Sequence, residues 1–295
     1  MKLLIFGKNS YPAKFFSSEF KDKSLKIFFF DKRFEIQDIL NLDSKSFYIK
    51  YFSDIQSNFD ASINFIHIHE NDFNLEIKIN TELCVKLKFA FYEMNILKNI
   101  YLSSVNSYKN AKTSYGIAKF KCEDVYRSLS NSIIVRPSTI IDLDLKEKMI
   151  TGGQKGDSLK NLSSLIKKSF IIPVPGTGKY LQTVCFGTDL SKFLNILIKN
   201  NNFDNKTLNF FTGEMISYNQ FLDLNFRLAN IKRIKLFIPI FCISFFILIA
   251  KKLLNIKISN KNIENLVNQK IEYNNLEEIE KLLKLKKINT IFKKK

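Results

Sequence analysis

Between Lys2 and Leu197 the sequence alternates short apolar runs with longer stretches of helical periodicity, and few architectures accept that order. The apolar runs are Lys2–Phe6, Lys26–Phe30, Ile49–Phe52, Ile63–Ile68, Ile100–Leu102 and Ser132–Val135, each read as a strand. Helical stretches separate them: one through Phe15, Phe16 and Phe20, one from Asn80-Thr81 through Phe91 and Met94, and one from Ser114 to Leu129. Leu159 to Ser169 and the run into Leu197 continue the pattern. Alternation of this kind predicts an α/β fold with a doubly wound parallel sheet. The main domain is expected over residues 1–221, with substrate-lobe insertions at about 141–183. Residues 222–295 are expected to form a smaller, mostly helical C-terminal segment.

The chain is large enough for a substantial core, being 45% hydrophobic with 29 Phe, and it has no repetitive or low-complexity stretch. Its net charge of +18 comes almost wholly from lysine, since only Arg33, Arg127, Arg136, Arg227 and Arg233 are arginine. The lysines are scattered except at Lys293–Lys295, which argues against a nucleic-acid surface and suits an anionic small substrate. Cys84, Cys122, Cys185 and Cys242 lie far apart and form no CxxC, so they are read as small core hydrophobes. The opening MKLLIFGKNS has too short an apolar run for a signal peptide, which gives a cytoplasmic expectation.

Two stretches carry chemistry. In the first, Lys2–Phe6 runs into Gly7 and then a helix, the arrangement that places a pyrophosphate over the positive end of a first helix. Asp31 ends the second strand, 24 residues after Gly7, where a carboxylate grips adenosine ribose hydroxyls. Asp31 favours NAD; Arg33, two residues on, could meet a 2′-phosphate, so NADP is also compatible. The second is Ile100–Lys119: a strand end, Ser103-Ser104, then Tyr115 and Lys119 at i,i+4 on one helix face. An ammonium beside a phenol stabilises phenolate and pulls a tyrosine pKa down from ~10. Such a tyrosine can give or take a proton while a hydride moves.

With these residues in place, the chain resembles the extended short-chain dehydrogenase/reductase superfamily, in particular its NAD-dependent epimerase/dehydratase family. The resemblance runs from Met1 to about Phe221. It implies a Rossmann-like fold, NAD (or NADP) as cofactor, and a catalytic group of Ser104, Tyr115 and Lys119. The family's GxxGxxG falls on Gly7, Ser10 and Ala13, so the implied phosphate turn contains Gly7, Ser10 and Tyr11. Asp54-Ile55 takes the place of the adenine contact. Asn80 matches an asparagine at the start of the following helix, where it would also act as an N-cap. INFIHI resembles the family's VIHLAA, with His67 matching its histidine and His69 and Glu70 replacing two alanines. Arg136-Pro137 and the segment Ile172–Val184, which contains Gly176 and Gly178, resemble family blocks on the substrate side.

The activity so implied is NAD(P)-dependent hydride transfer on a nucleotide sugar, as epimerase or reductase, in surface polysaccharide biosynthesis. A homodimer is compatible with it. Val105-Asn106 stands where a dehydratase has an acidic pair, so dehydration is disfavoured. A second reading rests on Ser10, Ala13, His69 and Glu70: a degenerate dinucleotide-binding scaffold, or a membrane-associated accessory subunit without turnover. Three further segments leave alternatives open. Ile141–Ser158, with Gly152, Gly153 and Gly156, is read as a mobile loop. Leu236–Ala250 is fifteen residues without charge, read as a buried or lid helix, an interfacial membrane contact or a span. Ile263–Leu285 is read as amphipathic helices. No metal is expected: alternation puts His67 and His69 on one face, with no third ligand in sight.

Overall fold

The computed structural model describes residues 1–19, 24–55, 58–144, 148–152, 158–212, 215–239, 242 and 276–283. Gly153, Gly156 and most of the expected C-terminal helices, Ile263 to Asn275 in particular, lie outside the described residues. The chain forms two compact units.

The first unit holds Met1–Pro137 and Leu190–Phe210, joined by a short helix near the end of the chain. Its sheet has six strands, all parallel: β1 (Lys2–Phe6), β2 (Lys26–Phe29), β3 (Ala61–Asn64), β4 (Lys98–Leu102), β5 (Ser132–Pro137) and β10 (Thr207–Phe210). The spatial order is β10-β5-β4-β3-β1-β2. The chain therefore leaves β1 toward β2 and then crosses back to β3, and the switch point lies between β1 and β3. In open parallel sheets ligands settle in the crevice at the carboxyl ends of the strands at that point. The doubly wound parallel sheet expected from the alternation is the fold observed.

Side chains alternate across this sheet. Leu4, Phe6, Tyr101 and Ile134 face a core with Leu83, Leu87 and Phe91 of α4 (Phe73–Glu93) and Cys122 and Tyr126 of α5 (Ser114–Arg127). Phe6 sits between aromatic neighbours, with ring centroids 5.3 Å from Phe30, 6.2 Å from Phe52 and 5.8 Å from Phe91. The alternate positions Leu3, Ile5, Ile100, Ile133 and Val135 are also fully buried, as a sheet covered on both faces requires. On the first helix, α1 (Tyr11–Glu19), Ala13 and Phe16 are the buried positions.

Two expectations fail in this unit. Ile49–Phe52 is not a strand; it is the end of helix α3 (Ser44–Phe52), which follows α2 (Ile36–Asn41). The Asp43 carboxylate accepts from the Ser46 backbone N–H and caps α3, and Phe47, Tyr51 and Phe52 bury one helical face. Within the run only Tyr51 and Phe52 belong to that buried face, which Phe47 completes one turn earlier, while Ile49 is exposed. Asn80 is not an N-cap: α4 starts at Phe73, capped by Asp72, so Asn80 lies two turns inside it.

The second unit includes Ser138–Asp189 and the described residues from Phe211 to Ile238. Its strands β6 (Thr139–Asp144), β7 (Met149–Thr151), β9 (Leu181–Phe186) and β11 (Met215–Ser217) form one sheet in the order β11-β9-β6-β7. Residues 141–144 and 149–151, expected as loop, are thus paired strands, because Ile141 and Ile150 are core residues of this unit. Strands β8 (Ile171–Pro175) and β12 (Ile234–Ile238) pair in parallel. Leu236–Ile238, the start of the long apolar stretch, are therefore strand rather than helix, and residues 240, 241 and 243–250 of that stretch lie outside the described residues. The helices are α6 (Ser158–Lys168), α7 (Gly187–Lys199, running on into the first unit) and α8 (Tyr218–Ala229). The buried Asn225 of α8 holds β7 by accepting from the Ile150 N–H at 2.8 Å. The last described helix, α9 (Leu276–Leu282), belongs to the first unit. Among the described residues no helix is long and apolar enough to cross a membrane.

Cys84, Cys122 and Cys185 are free and buried. Burial pushes the Cys185 thiol up to about 12, which makes it inert.

The reassignment of α3 is testable. Ile49 is 54% exposed whereas Phe52 is 0% exposed. Phe52→Ala is expected to cost roughly 3–5 kcal/mol in urea denaturation, and Ile49→Ala less than ~0.5 kcal/mol. A large loss for Ile49→Ala would restore the buried strand.

Candidate active site

Of the predicted residues, Gly7, Asp31 and Ser104 lie just past the carboxyl ends of β1, β2 and β4. Gly7 follows β1 with φ 79°, a backbone state that only glycine adopts without strain. A Cβ there would lie 3.1 Å from the Ile66 nitrogen and the Phe65 carbonyl carbon, so β1's exit is pressed against the segment leaving β3. Ser10 closes the turn: its N–H donates to the Gly7 carbonyl at 2.9 Å, and its hydroxyl accepts from the Ala13 N–H at 3.4 Å. Tyr11 opens α1 and packs edge-on against Phe15 at 4.9 Å. Beside this turn lies an open groove lined by Lys8, Asn9, Lys14, Ser17, Ser18 and Phe29. Two lysines and a helix N-terminus suit an anionic group.

Asp31 is exposed and paired with Lys8. Arg33 is exposed two residues on. Asp54 is also exposed; the hydrogen bond from Lys32 at 2.8 Å, helped by Ser53, holds its carboxyl below the ordinary value. Ile55 is half-buried against the core. Asn80 is buried and its carboxamide is committed locally: it accepts from the Ile68 N–H at 2.9 Å and donates to the Ile68 carbonyl at 2.8 Å.

Ser104 follows the end of β4, and Lys119, on the helix that carries Tyr115, reaches that strand end. The Thr113 hydroxyl caps α5 by accepting from the Gly116 N–H at 3.1 Å, and Tyr115 falls in the helix's first turn. One turn further, Lys119 is buried. Its ammonium donates to the Leu102 carbonyl at 2.8 Å, and lies 4.7 Å from the Tyr101 ring centroid and 5.9 Å from that of Tyr115. Burial pushes the Lys119 pKa below its ordinary value. Ser104 is buried two residues beyond Leu102, and its hydroxyl accepts from the Asn106 N–H at 3.2 Å. The loop after Ser104 presses on α5 at Gly116, where a Cβ would stand 2.6 Å from the Asn106 carbonyl oxygen. Close approach, not turn geometry, requires glycine there.

Residues that the sequence did not single out set this geometry. Glu123, fully buried on α5, accepts from the Ser103 hydroxyl at 2.5 Å, from Arg136 of β5 at 2.8 and 2.6 Å, and from Arg127 at 2.6 Å. Glu76 of α4 meets His67 Nε2 at 2.8 Å and His69 Nδ1 at 3.4 Å through one carboxylate oxygen. Its other oxygen accepts from the Ser114 hydroxyl at 2.6 Å. The rings of His67 and His69 in turn meet Tyr115, with centroids at 4.6 and 6.0 Å. Glu76 was hidden because it sits in the first turn of a helix whose start the sequence had placed later. The i+9 spacing from His67 has no motif to announce it.

Comparison with protein-family models and with curated proteins finds no match. Solved structures do match in fold. A dTDP-4-dehydrorhamnose reductase from Clostridium acetobutylicum has a TM-score of 0.62 at 20% identity, covering 81% of this chain and 84% of that one. RMD from Pseudomonas aeruginosa, in complex with NADPH, gives 0.66 at 11% identity, covering 80% and 87%. UDP-glucose 4-epimerase from Thermotoga maritima, with UDP-glucose, gives 0.61 at 13% identity, covering 81% and 86%. At these identities the likeness is one of fold.

Titration of the His67 cluster gives a stability signature. Burial drives the His67 pKa from 6.5 down to about 3, with the Glu76 hydrogen bond opposing and the Lys119 charge assisting. Between about pH 6.5 and about pH 3 the unfolded chain therefore binds a proton that the native His67 refuses, and stability falls as acid is added. Burial works to raise Glu76, but its hydrogen bonds from His67 and Ser114 outweigh this and leave it lowered. That shift removes stability in the same direction, as pH falls through the Glu76 range. Urea midpoints measured across this window are expected to drop, and His67→Gln is expected to flatten the drop. An equal slope in the variant would contradict the assignment.

Proposed function

We propose that the chain is an NAD(P)-dependent oxidoreductase of the epimerase/dehydratase type that acts on a nucleotide sugar. The observation that carries this reading is the buried Lys119 ammonium, fixed on the Leu102 carbonyl and facing the Tyr115 ring. A buried lysine is costly unless its charge is used. Here it stands beside a phenol at the carboxyl edge of a parallel sheet.

The residues present fit a dinucleotide. Gly7 and the first turn of α1 would take the pyrophosphate, with Lys8 and Lys14 lining the adjoining groove. Asp31 would take the ribose hydroxyls on leaving Lys8. The bound nucleotide would supply or accept the hydride. Tyr115 acts as the acid/base on the sugar hydroxyl, and the Lys119 charge favours its phenolate form. Ser104 orients the same hydroxyl. Ser103, through Glu123, and Leu102, through Lys119, keep the strand end and the helix in register. Epimerisation and reduction share this proton step. Support also comes from structural neighbours solved with NADPH and with UDP-glucose. The proposal extends to a role in surface polysaccharide biosynthesis, one of the uses of that substrate class.

A second reading, a dinucleotide-binding scaffold without turnover, is favoured by the His69 imidazole over Tyr115 and by the Lys8–Asp31 pair. Kinetics separate the two. Hydride transfer with a panel of UDP- and dTDP-sugars is expected, and Tyr115→Phe is expected to lower kcat by about 10²-fold or more. Cofactor affinity should stay within a few-fold. Cofactor binding with no turnover on any sugar would establish the scaffold instead.

A further inference from the structure

Both histidines of the 295-residue chain lie at one point, together with a buried carboxylate. The ligand atoms of His67, His69 and Glu76 all fall within 4.8 Å of one another. We propose that these three residues form a binding site for a divalent transition ion of the zinc class.

Two imidazoles and one carboxylate are a familiar donor set for such ions, leaving a further coordination position open. Around an ion with bonds of ~2.0–2.1 Å, tetrahedral ligand atoms stand about 3.3 Å apart. Glu76 Oε1 is 3.4 Å from His69 Nδ1 and 2.8 Å from His67 Nε2, so small side-chain adjustments would open the space. The Nε2 of His67 and the Nδ1 of His69 both lie close to the same Glu76 oxygen, so the three donor atoms are gathered at one point.

The surroundings are those of a supported site. Ser114 holds the second oxygen of Glu76 at 2.6 Å, which fixes the carboxylate plane and leaves Oε1 directed at the histidines. Asn80, one turn along α4 from Glu76, grips both backbone groups of Ile68, the residue between the two histidines. Its amide also donates to the Glu76 carbonyl at 2.8 Å. Outer contacts of this kind orient ligands and raise affinity. The His67 and Glu76 side chains are 8% and 6% exposed, while that of His69 is 72% exposed and provides the entry path. The Lys119 charge nearby opposes a cation and limits the affinity. A bound ion would lock the His69 ring over Tyr115.

The site stands independently of the hydride-transfer reading and is tested without nucleotide. The full chain, free of any polyhistidine tag and stripped with chelator, is titrated with Co²⁺ while visible absorption is followed; Zn²⁺ is then added in competition. One ion per chain is expected, with the intense bands of four- or five-coordinate cobalt that Zn²⁺ abolishes. His69→Ala is expected to weaken binding at least about tenfold. Glu76→Gln should do the same, and if it fails to fold the exposed His69 position decides alone. Binding absent from the native chain, or unchanged in His69→Ala, would overturn the proposal.

Discussion

The site depends on the way α5 is tied to the end of β4. Two buried polar contacts do this, the Lys119 ammonium on the Leu102 carbonyl and the Glu123 carboxylate on the Ser103 hydroxyl. They are four residues apart on the helix and one residue apart on the chain leaving the strand. That spacing fixes both the rotation of the helix and its height above the sheet edge. Arg136 of β5 braces Glu123 with two hydrogen bonds, so the neighbouring strand sets the position as well. A buried ion cluster of this kind is costly to break, by roughly 3–5 kcal/mol when one partner is removed. Tyr115 inherits its place from these contacts, because it lies one turn before Lys119.

The fold was legible from the order of elements, since parallel strands buried on both faces leave unbroken apolar runs that few other structures produce. Gly7 and the YxxxK pair were legible because each is local: one backbone angle, one helical turn. What was illegible depended on tertiary context. Ile49–Phe52 looked like a strand because three apolar residues in a run of four carry no periodicity; only Asp43 and Phe47 upstream show the helix. Asn80 looked like a cap because an asparagine before a helical run usually is one, yet Asp72 caps the helix and Asn80 holds Ile68. Glu76 could not be linked to His67 and His69 from sequence, since they meet only after the chain folds back along α4.

The same region shows how departures from a familiar pattern gain meaning in three dimensions. His69 and Glu70 take the place of small residues, and by sequence they read as losses. In the structure His69 lies over Tyr115 and reaches the buried Glu76, so the position joins a cluster with His67 and Glu76 beside Tyr115. Ser10 likewise stands where the pattern that the chain resembles has a glycine, yet it closes the turn after β1 with its own backbone N–H and hydroxyl. The turn keeps its shape by a different bond.

The account turns on whether that altered turn still receives a dinucleotide beside Tyr115. Calorimetric titration of the purified chain with NAD, NADH, NADP and NADPH measures this directly. The account predicts one-to-one binding of at least one of the four, in the micromolar range, weakened when Asp31 is replaced by Ala. Absence of binding by every form would contradict it, and would leave the buried Lys119 as a structural residue rather than part of a hydride-transfer site.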